Sequence, residues 1–219
     1  MMSRKECVEI MKIEVWSDYV CPFCYIGKRH LEEAIQLAGL EDKVEVVYRA
    51  FELDPNTPAT SEKSMAAVLS EKYNMSIEEA KAMTENVAAQ AKAVNLIYDF
   101  EKMTPSNTFQ AHRLAKFAEE AGLGEKMTER LLYAYFTEGE KIGTFETLLK
   151  LAEEVGLSKE QTKEMLHSEA FIHEVKKDIE EAGQIGVQGV PFFVIDRKYA
   201  LSGAQPVTTF VEALQKANE

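Results

Sequence analysis

Residues 11–24 read Met-Lys-Ile-Glu-Val-Trp-Ser-Asp-Tyr-Val-Cys-Pro-Phe-Cys, and this stretch decides the fold. Its first seven residues alternate apolar and polar side chains, which is the pattern of a β-strand. The Cys-Pro-Phe-Cys segment at 21–24 follows at once, and apolar residues then recur at helical spacing over 27–39. A second strand is predicted over 44–50. The sequence therefore predicts a βαβ unit with two cysteines where its first strand meets its helix.

Two cysteines at the beginning of a helix have a specific chemistry. Free backbone N–H groups and the positive end of the helix dipole stabilise a thiolate there. We therefore expect Cys21, at or near the N-cap, to be a nucleophile. Cys24 lies one turn further along, close enough to attack a mixed disulfide formed on Cys21. Pro22 suits the first helical turn because it lacks an N–H that would be unpaired there.

A zinc site is the structural alternative for a Cys-x-x-Cys pair, but such a site needs four ligands. The remaining candidates are Cys7 and four scattered histidines: His30, His112, His167 and His173. The sequence contains neither a second Cys-x-x-Cys nor a His-x-x-x-His pattern. We therefore expect a redox centre without a metal, and an inert thiol at Cys7.

The rest of the chain contains a long helical region and then a return to strands. Helical patterns follow one another over 61–168 and no strand is predicted there. A further helix is predicted over about 170–184, and strands over 190–195 and 199–202 flank a short hairpin connection. This order predicts an α/β protein with a thioredoxin-like fold (βαβ…αββα), interrupted by an all-helical insertion domain. The predicted units are an extension at 1–10, a discontinuous thioredoxin-like domain at 11–60 and 169–219, and the insertion at 61–168.

Pro191 opens the strand predicted over 190–195, after Gly189 and Val190. In a chain with a Cys-x-x-Cys pair and this element order, we interpret it as the cis-proline that faces the cysteines. A cis peptide bond before proline would expose the backbone of Val190 to an incoming substrate strand. The alternative is an ordinary trans proline at the beginning of a strand.

The composition limits the partners of the protein. With 37 acidic and 25 basic residues among 219, its net charge is −12, which repels nucleic acids and anionic lipid headgroups. No apolar run approaches the roughly 20 residues that a membrane span needs. The first ten residues lack the apolar stretch of a secretory signal. We therefore expect a cytoplasmic protein that binds neither nucleic acid nor membranes.

Several segments match a known family. The sequence resembles the FrnE-like branch of the DsbA family in five segments: 17–28, 107–114, 134–139, 189–195 and 201–206. The resemblance implies a dithiol–disulfide oxidoreductase or isomerase acting on protein or small-molecule thiols and disulfides. It also implies that Cys21 is the attacking cysteine, Cys24 the resolving cysteine and Pro191 the cis-proline.

A sister group leaves a second function open. The hydroxychromene-carboxylate isomerases and kappa-class glutathione transferases share this fold, but they have serine where Cys21 stands and they bind glutathione. The alternative is therefore a glutathione-dependent isomerase or transferase acting on a small aromatic or polyketide-like molecule. A non-catalytic redox-sensing module is a third hypothesis. No cofactor is expected beyond the redox-active disulfide, with glutathione as a candidate co-substrate.

The resemblance also suggests residues for binding and for tuning. The insertion helix with Asn107, His112 and Arg113 would face the redox site, and each of them could equally be a capping or solvated residue. Val190 is a further candidate for substrate binding. Pro22 and Phe23, between the cysteines, are expected to tune the potential. Because Phe23 neither donates a hydrogen bond nor carries charge, we expect a milder oxidant than DsbA, at about −180 to −230 mV instead of about −120 mV.

Overall fold

The computed structural model describes residues 10–219, so that Cys7 and most of the predicted extension lie outside the described residues. A four-stranded sheet has the order β2-β1-β3-β4. Strands β1 and β2 are parallel, whereas β3 pairs antiparallel with both β1 and β4. The strands are β1 (Met11–Ser17), β2 (Val44–Ala50), β3 (Phe192–Ile195) and β4 (Tyr199–Ser202).

Nine helices surround this sheet or extend from it in the described part of the chain. They are α1 (Pro22–Ala38), α2 (Met65–Tyr73), α3 (Ile77–Ala93), α4 (Phe109–Glu120), α5 (Gly124–Tyr133), α6 (Phe145–Val155), α7 (Lys159–His167), α8 (Ile172–Gln184) and α9 (Val207–Ala217). The predicted α/β thioredoxin-like fold is confirmed. Helix α1 begins at Pro22, in agreement with the predicted position of Cys21 at or near the N-cap.

Both faces of the sheet are covered. On one face, β1 and β3 pack against α1 and α9 around a core that includes Ile13 and Phe210. On the other face, Trp16 is fully buried with Ala182 of α8, and its indole N–H donates to the carbonyl oxygen of Asp178 at 2.9 Å. Strand β1 therefore lies between two other strands in the sheet and is covered by helices on both faces, so that packing fixes the position of its carboxyl end.

Glu14 illustrates a limit of the alternating pattern in β1. Its position points away from the core of α1 and α9, yet only 2% of its surface is exposed. Arg49 of β2 and Arg197 of the hairpin form ion pairs with its carboxylate. The alternating pattern predicts an exposed side chain at Glu14. The residue is instead a buried, ion-paired carboxylate, because α8 covers the face of the sheet opposite α1 and α9.

The helices between β2 and α8 enclose a second and larger core. Helix α5 continues directly into a π-helical turn at Ala134–Glu138, which ends at Gly139 with φ +71°. This turn places the adjacent Tyr135 and Phe136 in the core. Helix α3 begins with a capping box, in which the Ser76 hydroxyl accepts from the Glu79 N–H and the Glu79 carboxylate accepts from the Ser76 N–H.

Within residues 10–219, every helix is too short or too polar to cross a membrane.

Candidate active site

Cys21 is the N-cap residue of α1, and Pro22 is the first residue of that helix. The sequence makes this junction by placing a proline, which has no N–H to leave unpaired, directly after the cysteine. The backbone N–H of Cys21 donates to the carbonyl oxygen of Asp18 at 3.1 Å. The Cys21 thiol therefore lies at the positive end of α1, beside backbone N–H groups without partners in the helix.

Cys24 lies behind Cys21, and both are buried free thiols. Burial raises the pKa of the Cys24 thiol well above its usual range, and the Cys21 thiol next to it acts in the same direction. The nearby Ser17 hydroxyl and Asp18 backbone act the other way on this pKa. At neutral pH Cys24 is thus held as a protonated thiol.

Val190 and Pro191 reach this pair from the other end of the chain. The peptide bond between them is cis. The Cys21 thiol donates a hydrogen bond to the carbonyl oxygen of Val190 at 3.4 Å. The structure therefore brings the two predicted sequence segments together at one sulfur atom.

Gly27 makes this approach sterically accessible, although the sequence analysis did not single it out. A Cβ atom at this position would lie 3.0 Å from Cγ of Pro191 and 3.1 Å from Cζ of Phe193. Such contacts are too close for an unstrained side chain. Glycine one turn after Cys24 is the sequence signal that could have indicated that Pro191 packs on α1.

An apolar cavity of about 410 Å³ opens next to Cys21. Cys21, Pro22, Phe23 and Val190 form the end of the cavity at the redox pair. Most of the remaining wall consists of apolar side chains from α2, α3, the segment before α4 and the π-helical turn, including Met65, Val68, Met83, Val87, Met103 and Phe136. Cys21 thus lies at the wall of a space that fits an apolar group.

Tyr98 connects the helical region to the redox pair, and sequence reasoning missed it. Its hydroxyl donates to the carbonyl oxygen of Pro22 at 2.7 Å. Its ring stacks on Phe136 with centroids 4.5 Å apart. Burial, followed by the nearby Cys21, raises the pKa of Tyr98, so that its hydroxyl remains protonated. The sequence offered no signal because Tyr98 lies in a loop without a motif.

Asp18 and His112 form a buried polar pair close to the cysteines. Asp18 accepts the Leu53 N–H at 2.8 Å, and its other oxygen, 3.5 Å from Nε2 of His112, has no hydrogen-bond partner among the described residues. His112 Nε2 lies 3.0 Å from the carbonyl oxygen of Phe51, which can only accept a hydrogen bond. The predicted residue His112 is therefore brought near the site, one layer behind the cavity.

Arg113 and Asn107 are placed differently from what the resemblance suggested. Arg113 is buried and donates to the carbonyl oxygen of Met165 in the last turn of α7 at 2.8 Å and to that of Ala170, after this helix, at 2.7 Å. The side-chain oxygen of Asn107 accepts the Phe109 N–H at 3.1 Å, and its side-chain amide donates to the Pro55 carbonyl oxygen at 3.3 Å, just before α4. Neither is among the described residues that line the cavity beside Cys21.

Comparison with known proteins identifies the family. A family model described as the DSBA-like thioredoxin domain matches residues 12–215. The chain belongs to this DSBA-like family. This DSBA-like chain is 30% identical over 185 residues to the uncharacterized protein YwbO of Bacillus subtilis (strain 168), covering 84% of this chain and 86% of YwbO.

Solved structures agree with this assignment. The DSBA-like chain is similar to the probable DsbA oxidoreductase SCO1869 from Streptomyces coelicolor, with a TM-score of 0.89, 40% identity, and coverage of 94% of this chain and 89% of that one. The cytosolic disulfide reductase DsbM from Pseudomonas aeruginosa, solved with GSH, shares the fold, with a TM-score of 0.63, 18% identity and coverage of 94% and 98%. The DSBA-like protein is thus an enzyme of the thiol–disulfide kind.

Proposed function

We propose that this protein is a thiol–disulfide oxidoreductase or isomerase in which Cys21 is the nucleophile and Cys24 the resolving thiol. The observation that carries the proposal is the position of Cys21 at the N-cap of α1, with its thiol 3.4 Å from the Val190 carbonyl oxygen. Cys24 is buried behind it as a protonated thiol.

The reaction has two exchange steps. The Cys21 thiolate attacks one sulfur of a substrate disulfide, so that a Cys21–substrate disulfide forms and the other substrate sulfur leaves as a thiolate. Cys24 then loses its proton and attacks the Cys21 sulfur, which releases the second substrate thiolate. The substrate gains two electrons, and the Cys21–Cys24 pair loses two. The reverse sequence oxidises a dithiol.

The cavity supports a substrate with an apolar group next to its disulfide. Its wall contains three methionines, Met65, Met83 and Met103, whose unbranched side chains adapt to groups of different shape. Both a small apolar disulfide and an apolar side chain of a polypeptide would bury their surface there. We propose glutathione as the co-substrate that returns the Cys21–Cys24 disulfide to the dithiol, in a cytoplasmic setting.

Phe23 supports a mild reduction potential. Its ring is 39% exposed at the start of α1 and adds neither a charge nor a hydrogen-bond donor beside Cys21. We propose a potential of about −180 to −230 mV. Equilibration with defined ratios of reduced and oxidised glutathione measures it, and a value close to about −120 mV contradicts this proposal.

Insulin reduction and refolding of scrambled ribonuclease test the main proposal. The wild-type protein is expected to catalyse both, and Cys21→Ser to catalyse neither. Cys24→Ser is expected to accumulate a mixed disulfide on Cys21, visible as a mass increase that dithiothreitol reverses. An inert wild-type protein in both assays would exclude the function.

The size of the cavity favours a second candidate, a glutathione-dependent isomerase or transferase of a small aromatic or polyketide-like molecule. In that reaction Cys24 is dispensable. Cys24→Ser would then retain full turnover, and glutathione would raise the melting temperature of the protein through its binding to the folded state. Loss of turnover in Cys24→Ser decides for the oxidoreductase.

A further inference from the structure

Asp18 precedes Cys21 by three residues, and both residues line the apolar cavity of about 410 Å³. Their backbones are joined, because the Cys21 N–H donates to the Asp18 carbonyl oxygen at 3.1 Å. The Asp18 side chain is 1% exposed, and its Oδ1 atom has no hydrogen-bond partner among the described residues. We propose that Asp18 determines substrate specificity by selecting disulfides that carry an ammonium group close to the sulfur. The inference rests on the proposed oxidoreductase function and names the class of its substrate.

The neighbours of Asp18 leave its Oδ1 atom without a donor. The other oxygen, Oδ2, accepts the Leu53 N–H at 2.8 Å. His112 Nε2 is 3.5 Å from Oδ1, but it lies 3.0 Å from the carbonyl oxygen of Phe51, so that its proton is donated there. Within residues 10–219, no lysine or arginine forms an ion pair with Asp18. Because buried carboxylates are usually paired, we expect a cation from outside the chain to complete this site.

The composition of the cavity wall strengthens the effect of the Asp18 charge. Most of the wall is apolar, and a charge in such surroundings is screened much less than in water. Asp54 and Lys72 are the other charged wall residues in the described part of the chain, and both are exposed to solvent. Their charges are of opposite sign and cancel in part. An uncompensated negative charge thus remains in the wall that contains Cys21.

Two buried hydroxyl groups add acceptors for an ammonium group. Ser106 and Thr108 line the same cavity and are each 3% exposed. Thr108 lies one helical turn before His112, which is itself 3.5 Å from Asp18, so Thr108 and Asp18 lie on the same side of the cavity. An ammonium group has three N–H donors, and carboxylate and hydroxyl oxygens all accept them. An anionic group would instead be repelled by Asp18.

Three small disulfides of different charge test the inference: cystamine is cationic, bis(2-hydroxyethyl) disulfide is neutral and dithiodipropionate is anionic. Each reacts with the Cys24→Ser variant in about 0.2 M salt, which screens the charges of the surface. The Cys21 thiolate attacks one sulfur, the other half leaves as a thiolate, and the mass increase of the peptide that contains Cys21 gives the rate. Rates with 2-mercaptoethanol correct for the intrinsic reactivity of each disulfide. We expect the corrected rates to fall from cation to neutral compound to anion, by about ten-fold or more in total.

Asp18→Asn, in the same Cys24→Ser background, removes the charge, while its amide oxygen can still accept the Leu53 N–H. We expect cystamine to react about ten-fold more slowly, dithiodipropionate to react faster and the neutral disulfide to change little. Altered packing would instead slow all three reactions. Asp18→Glu retains the charge and should keep the order of the three rates. Asp42→Asn, at an exposed aspartate, makes the same change in net charge and is the matched control.

The comparison of the three disulfides in Cys24→Ser needs no change at Asp18, so it decides even if Asp18→Asn does not fold. Equal corrected rates for the three compounds would overturn the inference. It is also overturned if Asp18→Asn changes all three rates alike or changes none of them. If no disulfide modifies Cys21, the proposed oxidoreductase function itself fails, and the inference fails with it.

Discussion

The thiol of Cys21 lies 3.4 Å from the carbonyl oxygen of Val190, although 169 residues separate the two in the chain. One partner belongs to the first strand–helix junction and the other to the beginning of the last hairpin. The hydrogen bond therefore exists only when β1 and β3 are paired in one sheet. The Val190 carbonyl is therefore in direct contact with the sulfur that we propose as the nucleophile.

Gly27→Ala tests how closely Pro191 must pack on α1. The added methyl group would lie 3.0 Å from Pro191 and 3.1 Å from Phe193, so one of these neighbours must shift. We expect the free energy of unfolding to fall by about 1–3 kcal/mol, as for other overpacked positions. Disulfide reduction by the folded variant should slow as well, because Pro191 and Val190 move relative to Cys21. Urea denaturation and the insulin assay measure the two effects.

Gly183→Ala is the matched control for that substitution. Gly183 lies within α8. A Cβ atom added there would have no described atom within 4 Å apart from its chain neighbours and the backbone of its own helix. Alanine is the better helix former by about 0.5–1 kcal/mol, so this variant should be slightly more stable. Equal losses of stability in both variants would mean that the contact with Pro191 is not the cause.

Tyr98→Phe tests the link between the helical region and α1. The change removes the 2.7 Å hydrogen bond to the Pro22 carbonyl oxygen but keeps the ring that stacks on Phe136. We expect the free energy of unfolding to fall by about 1 kcal/mol, the usual net value of such a bond. Tyr133→Phe, at a tyrosine that is 44% exposed, should leave stability unchanged. A Tyr98→Phe variant as stable as the wild type would contradict the prediction.

The stability of the protein is expected to fall in acid through Glu129. Burial of Glu129 acts to raise its pKa, but hydrogen bonds from Arg29 and Lys28 outweigh burial and lower the pKa to about 2. Because this pKa is below its ordinary value of about 4.3 in the unfolded chain, folding is favoured while the carboxylate is charged. That contribution is fully present above about pH 4.5 and is lost as the pH falls towards 2.

Glu129→Gln removes this titration and so isolates its effect. The variant should be less stable than the wild type at neutral pH, and the difference should shrink between about pH 4.5 and pH 2. Glu125→Gln, an exposed position on the same helix, serves as the control. Chemical denaturation at a series of pH values gives the comparison. If the difference in free energy of unfolding between Glu129→Gln and wild type stays constant across this pH range, the hydrogen bonds of Glu129 with Arg29 and Lys28 are not its cause.

Arg113→Met separates a structural role from a role at the redox site. The guanidinium donates to the backbone carbonyls of Met165, Ser168 and Ala170 at 2.7–2.8 Å. Removing it leaves buried carbonyl oxygens unpaired, so we expect a loss of about 3 kcal/mol or more. The folded fraction should reduce insulin at the wild-type rate. Normal stability with lost activity would instead restore the substrate-binding role that the family resemblance suggested.

The local features of the site could be predicted from the sequence. The alternation of 11–17 and the cysteine–proline junction at 21–22 fix a strand that ends where a helix begins. These are short-range effects of side-chain spacing and of a missing N–H. The same reasoning identified the final hairpin. The π-helical turn at Ala134–Glu138 was not predicted, since it depends on packing in the helical core.

The sequence by itself determined that two cysteines stand at the beginning of α1, because their helix position and their spacing are properties of neighbouring residues. Only the tertiary structure decided what surrounds them. Tyr98 bonds the Pro22 carbonyl between the two cysteines without belonging to a recognisable motif, and the close packing of Gly27 against Pro191 appears only in the folded chain. The placement of Arg113 away from the cavity, and of His112 behind it, likewise depends on how α4 packs. The spacing of residues along the chain fixes local geometry. Burial, and contacts between residues far apart in sequence, arise only when separate helices and strands pack together.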